Sequence, residues 1–220
     1  MTESIKVLLV DEHAMLRNTL RHCLQESDDI DVTGVAGDAG DALDLFAQTD
    51  VDVVVMDIDM PGLLCFEAAR DIRKHRRQCQ VVFLSAFFND RYIDDALACG
   101  ALSYLTKEES PDILATAIRN AARGGSYFSP HVRARLVISE GGQVTLNPKK
   151  GRTRVSQLTD RELEVLRYLA REMAKKEIAS LIRRSYATVD KHAENLMNKL
   201  GIHDRVELTR YAIREGLAEA

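Results

Sequence analysis

Residues 51–62 read VDVVVMDIDMPG. A run rich in β-branched residues, from Val51 to Met56, halts at Asp57, and Pro61 and Gly62 follow as turn residues. A short, continuous apolar run closed by turn residues predicts a strand covered on both faces. Strands buried on both sides belong to parallel sheets flanked by helices, which sets the fold class. Asp57 falls at the strand's carboxyl end, where open α/β sheets place their ligands. An aspartate there is most often structural. A second acidic cluster, Asp11-Glu12, gives it a further meaning.

Outward from this stretch, strands and helices alternate. A first strand over 5–10 (IKVLLV) ends at Asp11-Glu12, and a helix follows over 14–24. A strand over 32–36 and a helix over 39–47 lead into the strand 51–56. A helix over 66–72 runs into the basic stretch 73–77, and a strand over 80–84 ends at Ser85. A helix over 91–98 is closed by Gly100, and a strand over 101–105 ends at Thr106-Lys107. The helix 111–123 has Pro111 near its start and Gly124-Gly125 just past its end, the expected asymmetry of proline and glycine. Five strands alternating with five helices predict an α/β fold, a flavodoxin-like doubly wound five-stranded parallel sheet of order 2-1-3-4-5. That order brings the ends of strands 1, 3, 4 and 5 to one edge. Asp11, Glu12, Asp57, Ser85 and Lys107 should therefore converge.

Composition sets limits. Of 220 residues, 45% are hydrophobic and 29% charged, ordinary for a globular protein. No apolar run reaches the roughly 18 residues a membrane helix needs, and the N-terminus lacks the basic start and cleavage site of a signal peptide. The expectation is a cytoplasmic protein with no membrane partner. Cys23, Cys65, Cys79 and Cys99 are scattered, which suits reduced, buried thiols rather than a disulfide frame or a zinc site. The net charge of −4 hides an asymmetry. Residues 1–125 hold 12 Lys+Arg against 22 Asp+Glu, and residues 126–220 hold 18 against 12. Halves of opposite sign suggest two domains, the second facing a polyanion, with ordinary surface variation as the plainer alternative.

Carboxylates crowded at one sheet edge repel one another unless a cation joins them. Oxygen ligands without His or Cys favour Mg²⁺. Asp57 can attack a phosphoryl group as a carboxylate nucleophile, with Mg²⁺ and Lys107 offsetting charge on the transferring oxygens. The Ser85 hydroxyl can donate a hydrogen bond to one of them. Read singly, Lys107 is a solvated cap and Ser85 a strand-end hydroxyl.

The pieces VLLVDEH, VVVMDIDMPG, FLSA and GALSYLTKEES together resemble the receiver domain of bacterial two-component response regulators, over residues 1–125. The resemblance implies phosphorylation of Asp57 by a histidine kinase. It implies Mg²⁺ ligation by Asp11, Asp57 and the main-chain carbonyl of Asp59, with Glu12 acting mostly through water. Tyr104 falls at the family's switch aromatic, which turns inward when Ser85 is drawn to the phosphoryl group; the alternative is a rim tyrosine. Phe87 and Phe88 stand where smaller or polar residues are commoner, and are expected to shield the acyl phosphate from water.

Residues 126–156 read as a linker. A helix is expected over 129–139, and 140–157, rich in Gly, Pro and basic residues, has no period. Its basic run, 149–154, reads as a solvated stretch, with phosphate contact as the second reading. Residues 157–220 read as a small all-α domain of four helices. Thr159 with Glu162 forms a capping box; Leu163, Leu166, Leu169 and Ala170 line the first helix. Ile178, Ala179, Leu181 and Ile182 line a shorter second. Ser185 caps a third, which carries Val189, Ala193, Leu196, Met197 and Leu200 and ends at Gly201. A fourth is expected over 206–217. The tight spacing of the second and third is that of a helix-turn-helix.

Leu158-Thr159, Arg161-Glu162, 164–166, 176–179, Thr188-Val189, His192 and 199–201 make this segment resemble the LuxR-type DNA-binding domain. Receiver plus this domain is the layout of the NarL/FixJ subfamily of response regulators. The resemblance implies double-stranded promoter DNA as partner and transcription control rather than catalysis. The fourth helix is the candidate surface of a homodimer, since two-fold proteins bind paired half-sites. Lys175, Lys176, Arg183, Arg184, Thr188, Lys191, His192, Asn195 and Lys199 are the candidate DNA contacts. Asp190 and Glu194 stand where the family has basic residues, and carboxylates facing phosphates are repulsive. Glu172 replaces a glycine at the first turn, so the first two helices are expected to join differently. Two rival readings follow. A protein-interaction regulator with an acidic third helix fits the carboxylates. An aspartyl-phosphate phosphatase fits the D-x-D of Asp57-Ile58-Asp59, although that motif belongs on a first strand.

Overall fold

A computed structural model describes residues 4–60, 64–86, 90–138, 144–147, 154–215 and 217–218. Pro61, Gly62, Phe87 and Phe88, and all of the basic run except Arg154, lie outside the described residues.

The first half carries strands β1 (Ile5–Val10), β2 (Ile30–Ala36), β3 (Val53–Asp57), β4 (Gln80–Ser85) and β5 (Ser103–Thr106). Between and after them run helices α1 (Ala14–Gln25), α2 (Ala39–Gln48), α3 (Leu64–His75), α4 (Asp90–Ala98) and α5 (Pro111–Ala122). The sheet order is β2-β1-β3-β4-β5, as expected, with a sixth parallel edge strand, β6 (Tyr127–Phe128), added beyond β5. All five residues of β3 are buried. Val53 and Val55 join the layer formed with Leu114, Ala117 and Ile118 of α5. Val54 and Met56 face the opposite layer, with Ala42, Phe46, Ala69 and Ile72 of α2 and α3. Each buried valine contributes about 1.5–3 kcal/mol relative to exposure. This two-sided cover is why the run reads as continuous rather than alternating.

Register levels the strand ends. Val10 lies beside Met56, Asp57 beside Leu84, and Ser85 beside Thr106. Asp11, Asp57, Ser85 and Lys107 thus emerge within one rung of each other, at the same edge.

The segment after α5 departs from the expected linker. The helix expected over 129–139 is confined to α6 (Pro130–Arg133). β7 (Leu136–Ile138) then pairs antiparallel with β8 (Val144–Leu146). Arg135, just before β7, makes a two-pronged ion pair with the buried Asp90 at the start of α4. An aperiodic sequence concealed this hairpin because three-residue strands are too short to display alternation.

A 3₁₀ turn (Arg154–Gln157) leads into α7 (Asp160–Ala170), α8 (Lys175–Leu181), α9 (Tyr186–Leu200) and α10 (Arg205–Arg214). The Thr159–Glu162 capping box is present, Ser185 accepts from the Thr188 N–H, and Gly201 closes α9 at φ 67°. α10 begins at an Asp204 cap and is shorter than expected. Leu181 is exposed rather than in the core. Glu172 takes the left-handed conformation a glycine would, at φ 62°. The expectation of a different junction between the first two helices is therefore corrected. The N–H groups of Glu172 and Met173 bond back to Leu169 and Tyr168, and those bonds offset the strain of a side chain at positive φ.

The helical half is docked on the first. Val155, Leu158, Leu163 and Leu166 belong to the same apolar cluster as Phe83, Tyr92 and Tyr104. Arg91 of α4 pairs with Asp160 at 2.5 Å. Residues 162–170 of α7 are all buried, including Glu162, Glu164 and Arg167.

Candidate functional site

Five polar side chains meet at the carboxyl edge of the sheet. Asp57 and Ser85 are 0% exposed, Asp11 3% and Asp59 4%. Lys107 Nζ sits between two carboxylates, 2.8 Å from Asp11 Oδ2 and 2.9 Å from Asp57 Oδ2. The other oxygens are held by the main chain: the Asp59 N–H donates to Asp57 Oδ1 at 2.9 Å, and the His13 N–H donates to Asp11 Oδ1 at 2.8 Å. Burial pushes the Asp57 carboxyl up to about 7; the Asp59 charge adds to this, and Lys107 opposes it. Burial also works against the Lys107 ammonium, but Asp57 and Asp11 outweigh it and raise its pKa.

Asp59 was expected to offer its main-chain carbonyl alone. Its carboxylate is in the site as well. Asp59 Oδ2 accepts from Ser85 Oγ at 3.1 Å and from the Ala86 N–H at 2.6 Å. Two donors at a strand end form an anion cradle, and a carboxylate fills it here. Tyr104 is buried and shares a hydrogen bond with Ser85, so it is not a rim tyrosine. Burial raises its phenol well above the usual value.

The side-chain atoms suited to a metal belong to Asp11, His13 and Asp57, whose ligand atoms lie within 4.8 Å of one another. His13 escaped the sequence reading; its adjacency to Asp11-Glu12 was the available signal. Glu12 is outside that cluster. It is half-buried and close enough to Tyr168 of α7 that, after burial and Glu164, its charge helps push the Tyr168 phenol up to about 12. Asp11 Oδ2 and Asp57 Oδ2 are buried and accept no hydrogen bond of good geometry; the Lys107 charge is what they share. Buried carboxylate oxygens so placed suit a hard cation.

Arg167 of α7 completes the pocket, and no sequence signal singled it out. Its Nη2 donates to the Asp59 main-chain oxygen at 3.0 Å and to Asp59 Oδ1 at 3.1 Å. Its guanidinium lies over the Tyr92 ring, 5.9 Å from the centroid.

Residues 7–119 match the response regulator receiver domain, and residues 156–212 match the bacterial regulatory proteins of the LuxR family. The transcriptional regulatory protein YxjL of Bacillus subtilis is 34% identical over 99% of both chains. Response regulator UvrY of Escherichia coli is 31% identical over 98% of this chain and 97% of that one. The chain belongs to the two-domain response regulators of the NarL/FixJ type. Among solved structures, RcsB of Salmonella enterica serovar Typhimurium bound to the P1flhDC promoter has a TM-score of 0.66 at 22% identity. That match covers 95% of this chain and 98% of that one, and the likeness is one of fold. As a response regulator the chain stands among transcription regulators rather than phosphatases. None of its described helices is long and apolar enough to cross a membrane.

In this response regulator, α8 and α9 form the helix-turn-helix. Lys176, Arg183, Arg184, Lys191 and Asn195 are exposed, while Thr188 and His192 are half-buried. Lys175 is tied to Asp190 at 2.6 Å, so one expected contact neutralises one of the unexpected carboxylates. Lys199 is exposed but tied back along the surface, 2.6 Å from Glu162 of the capping box and 3.2 Å from the Gln157 carbonyl. A lysine in the last turn of a helix reads as a phosphate contact until its partner across the fold is known.

Proposed function

We propose that Asp57 is the phosphoryl acceptor of a histidine kinase, and that its modification controls promoter binding by the helix-turn-helix. A carboxylate oxygen of Asp57 attacks the phosphorus of a phosphohistidine; the P–O bond forms as the P–N bond breaks, and the imidazole leaves. The observation that carries this is the shared Lys107 ammonium, which bridges the nucleophile and Asp11. A fixed cation at that position offsets the charge of the incoming phosphoryl oxygens. Ser85 Oγ and the Ala86 N–H, now on Asp59, are the donors for those oxygens. Tyr104 follows Ser85 through their hydrogen bond, which couples the site to the α4 side of the sheet.

The residues present fit Mg²⁺: Asp11, Asp57 and the Asp59 carbonyl would hold it, with Glu12 through water. When bound, such an ion shields the carboxylates from the phosphoryl charge. Promoter DNA would be met by α9, with Lys191 and Asn195 on its outer face and Lys176, Arg183 and Arg184 on the backbone. Val206 on α10 is 59% exposed and supports pairing of two copies through that helix.

The test is incubation of the wild type and Asp57→Asn with acetyl phosphate and Mg²⁺, read by intact mass. One added phosphoryl group on the wild type and none on Asp57→Asn is expected. Equal modification of both removes Asp57 as acceptor. The exposed Glu194 on α9 favours a protein-interaction role as second reading. Salt-dependent gel shift on genomic fragments separates the two, because binding to DNA weakens steeply with salt.

A further inference from the structure

Two cations enter the acidic pocket from different parts of the chain. Lys107 comes from the sheet edge and serves Asp11 and Asp57. Arg167 comes from α7 and serves Asp59. The Arg167 side chain is 6% exposed, so its charge is held in the interior and not at a wet rim. A buried charge of this kind is retained only where partners compensate its desolvation. Here the compensation comes from a carboxylate, a main-chain oxygen and an aromatic face.

The main-chain oxygen matters most. The Asp59 carbonyl is the one backbone ligand proposed for the divalent cation, and in this state it accepts a hydrogen bond from Arg167. The Asp59 side chain is pinned on its other oxygen by Ser85 Oγ and the Ala86 N–H. While no phosphoryl group claims those donors, it stays in place and does not relieve the overlap. With all three buried carboxylates ionised, as metal ligation requires, the two cations leave the pocket at a net −1. Replacing the guanidinium by a dication makes the pocket neutral. Keeping both makes it positive in a low-dielectric site, where like charges repel strongly.

We propose that Arg167 is a tethered cation that competes with the divalent metal for the Asp59 main-chain oxygen, so that metal loading of the unphosphorylated protein loosens α7 from the receiver. This rests on the reading of the pocket as a metal-assisted phosphoacceptor site. It adds that the docked helical domain and the metal hold the site in turn. Linkage makes the effect reciprocal: whatever docking costs metal affinity, metal binding costs docking.

The test uses the full chain without any phosphoryl donor. Mg²⁺ binding is measured by calorimetry for the wild type and Arg167→Gln, and small-angle scattering is recorded for the wild type with and without saturating Mg²⁺. The expected results are binding about ten-fold tighter in Arg167→Gln and a larger radius of gyration for the wild type when Mg²⁺ is present. Equal or weaker Mg²⁺ affinity in the variant overturns the proposal, as does an unchanged radius; either leaves the phosphoacceptor reading standing. Absence of Mg²⁺ binding in both proteins overturns the reading of the pocket along with the proposal. The scattering arm needs no variant, so poor folding of Arg167→Gln does not protect the idea.

Discussion

Arg167 donates to the main-chain oxygen of Asp59 at 3.0 Å, across 108 residues of sequence. Through this contact the second domain reaches the floor of the first. α7, and not α9, is the helix that docks. Lys191, Glu194, Asn195 and Asn198 of α9 remain exposed. Docking in this state therefore constrains where α9 can go more than it covers it.

Asp57→Asn should stabilise the metal-free protein. Burial lifts the folded-state pKa of Asp57 to about 7, above that of an unfolded aspartate. The unfolded chain releases this proton first, so the residue's contribution to stability falls as pH rises from about 4 to about 7. Asparagine removes that cost. The expected gain is roughly 1–3 kcal/mol at pH 8, shrinking toward pH 5. Urea unfolding of both proteins at the two pH values, with a chelator present, measures it. A gain that does not change with pH would assign it to packing instead.

Arg135→Ala should weaken the hold of the hairpin on α4. It leaves Asp90, 8% exposed, without its guanidinium. The cost should be about 2 kcal/mol, less than for a fully buried pair because Arg135 is partly solvated. Adding Asp90→Asn in the same chain should recover about half of it. Chemical denaturation of the single and double variants reads both numbers.

Glu172→Gly should raise stability by about 1 kcal/mol, since glycine adopts φ 62° without the clash a Cβ brings. Glu172→Val should lower stability, because a β-branched residue is strained further there. Thermal unfolding of the two variants should move in opposite directions.

Lys191→Ala and Lys199→Ala should behave differently on DNA. Lys191 is exposed on the outer face of α9, and its loss should reduce the slope of log K against log salt by about 1. Lys199 is spent on Glu162 and Gln157. Its loss should leave the slope unchanged and cost about 1 kcal/mol of fold stability through the capping box. Titrations at several salt concentrations distinguish the two.

Much of the receiver was legible because its strands are buried on two faces and end in turns. The run 51–56 shows this: parallel order follows from alternation with helices, and the order alone carries Asp11, Asp57, Ser85 and Lys107 to one edge. The caps at Thr159, Ser185 and Gly201 were legible for a different reason, since each is a local hydrogen-bonding rule spanning three or four residues. The hairpin of β7 and β8 was hidden by strands of three residues. Lys199 and Lys175 looked like free cations because their partners, Glu162 and Asp190, are distant in sequence.

By itself, then, the sequence determined the five strands and five helices of the first half, the four helices of the second, their order, and the meeting of Asp57 with Lys107 and Asp11 at one edge, because periodicity and turn chemistry act over a few residues. Only the tertiary structure decided that the Asp59 carboxylate sits on Ser85 and Ala86, that His13 rather than Glu12 joins Asp11 and Asp57, and that Arg167 enters the pocket. These are pairings of charges brought together by packing. A buried arginine and an exposed one are written with the same letter until the helix carrying it meets another domain.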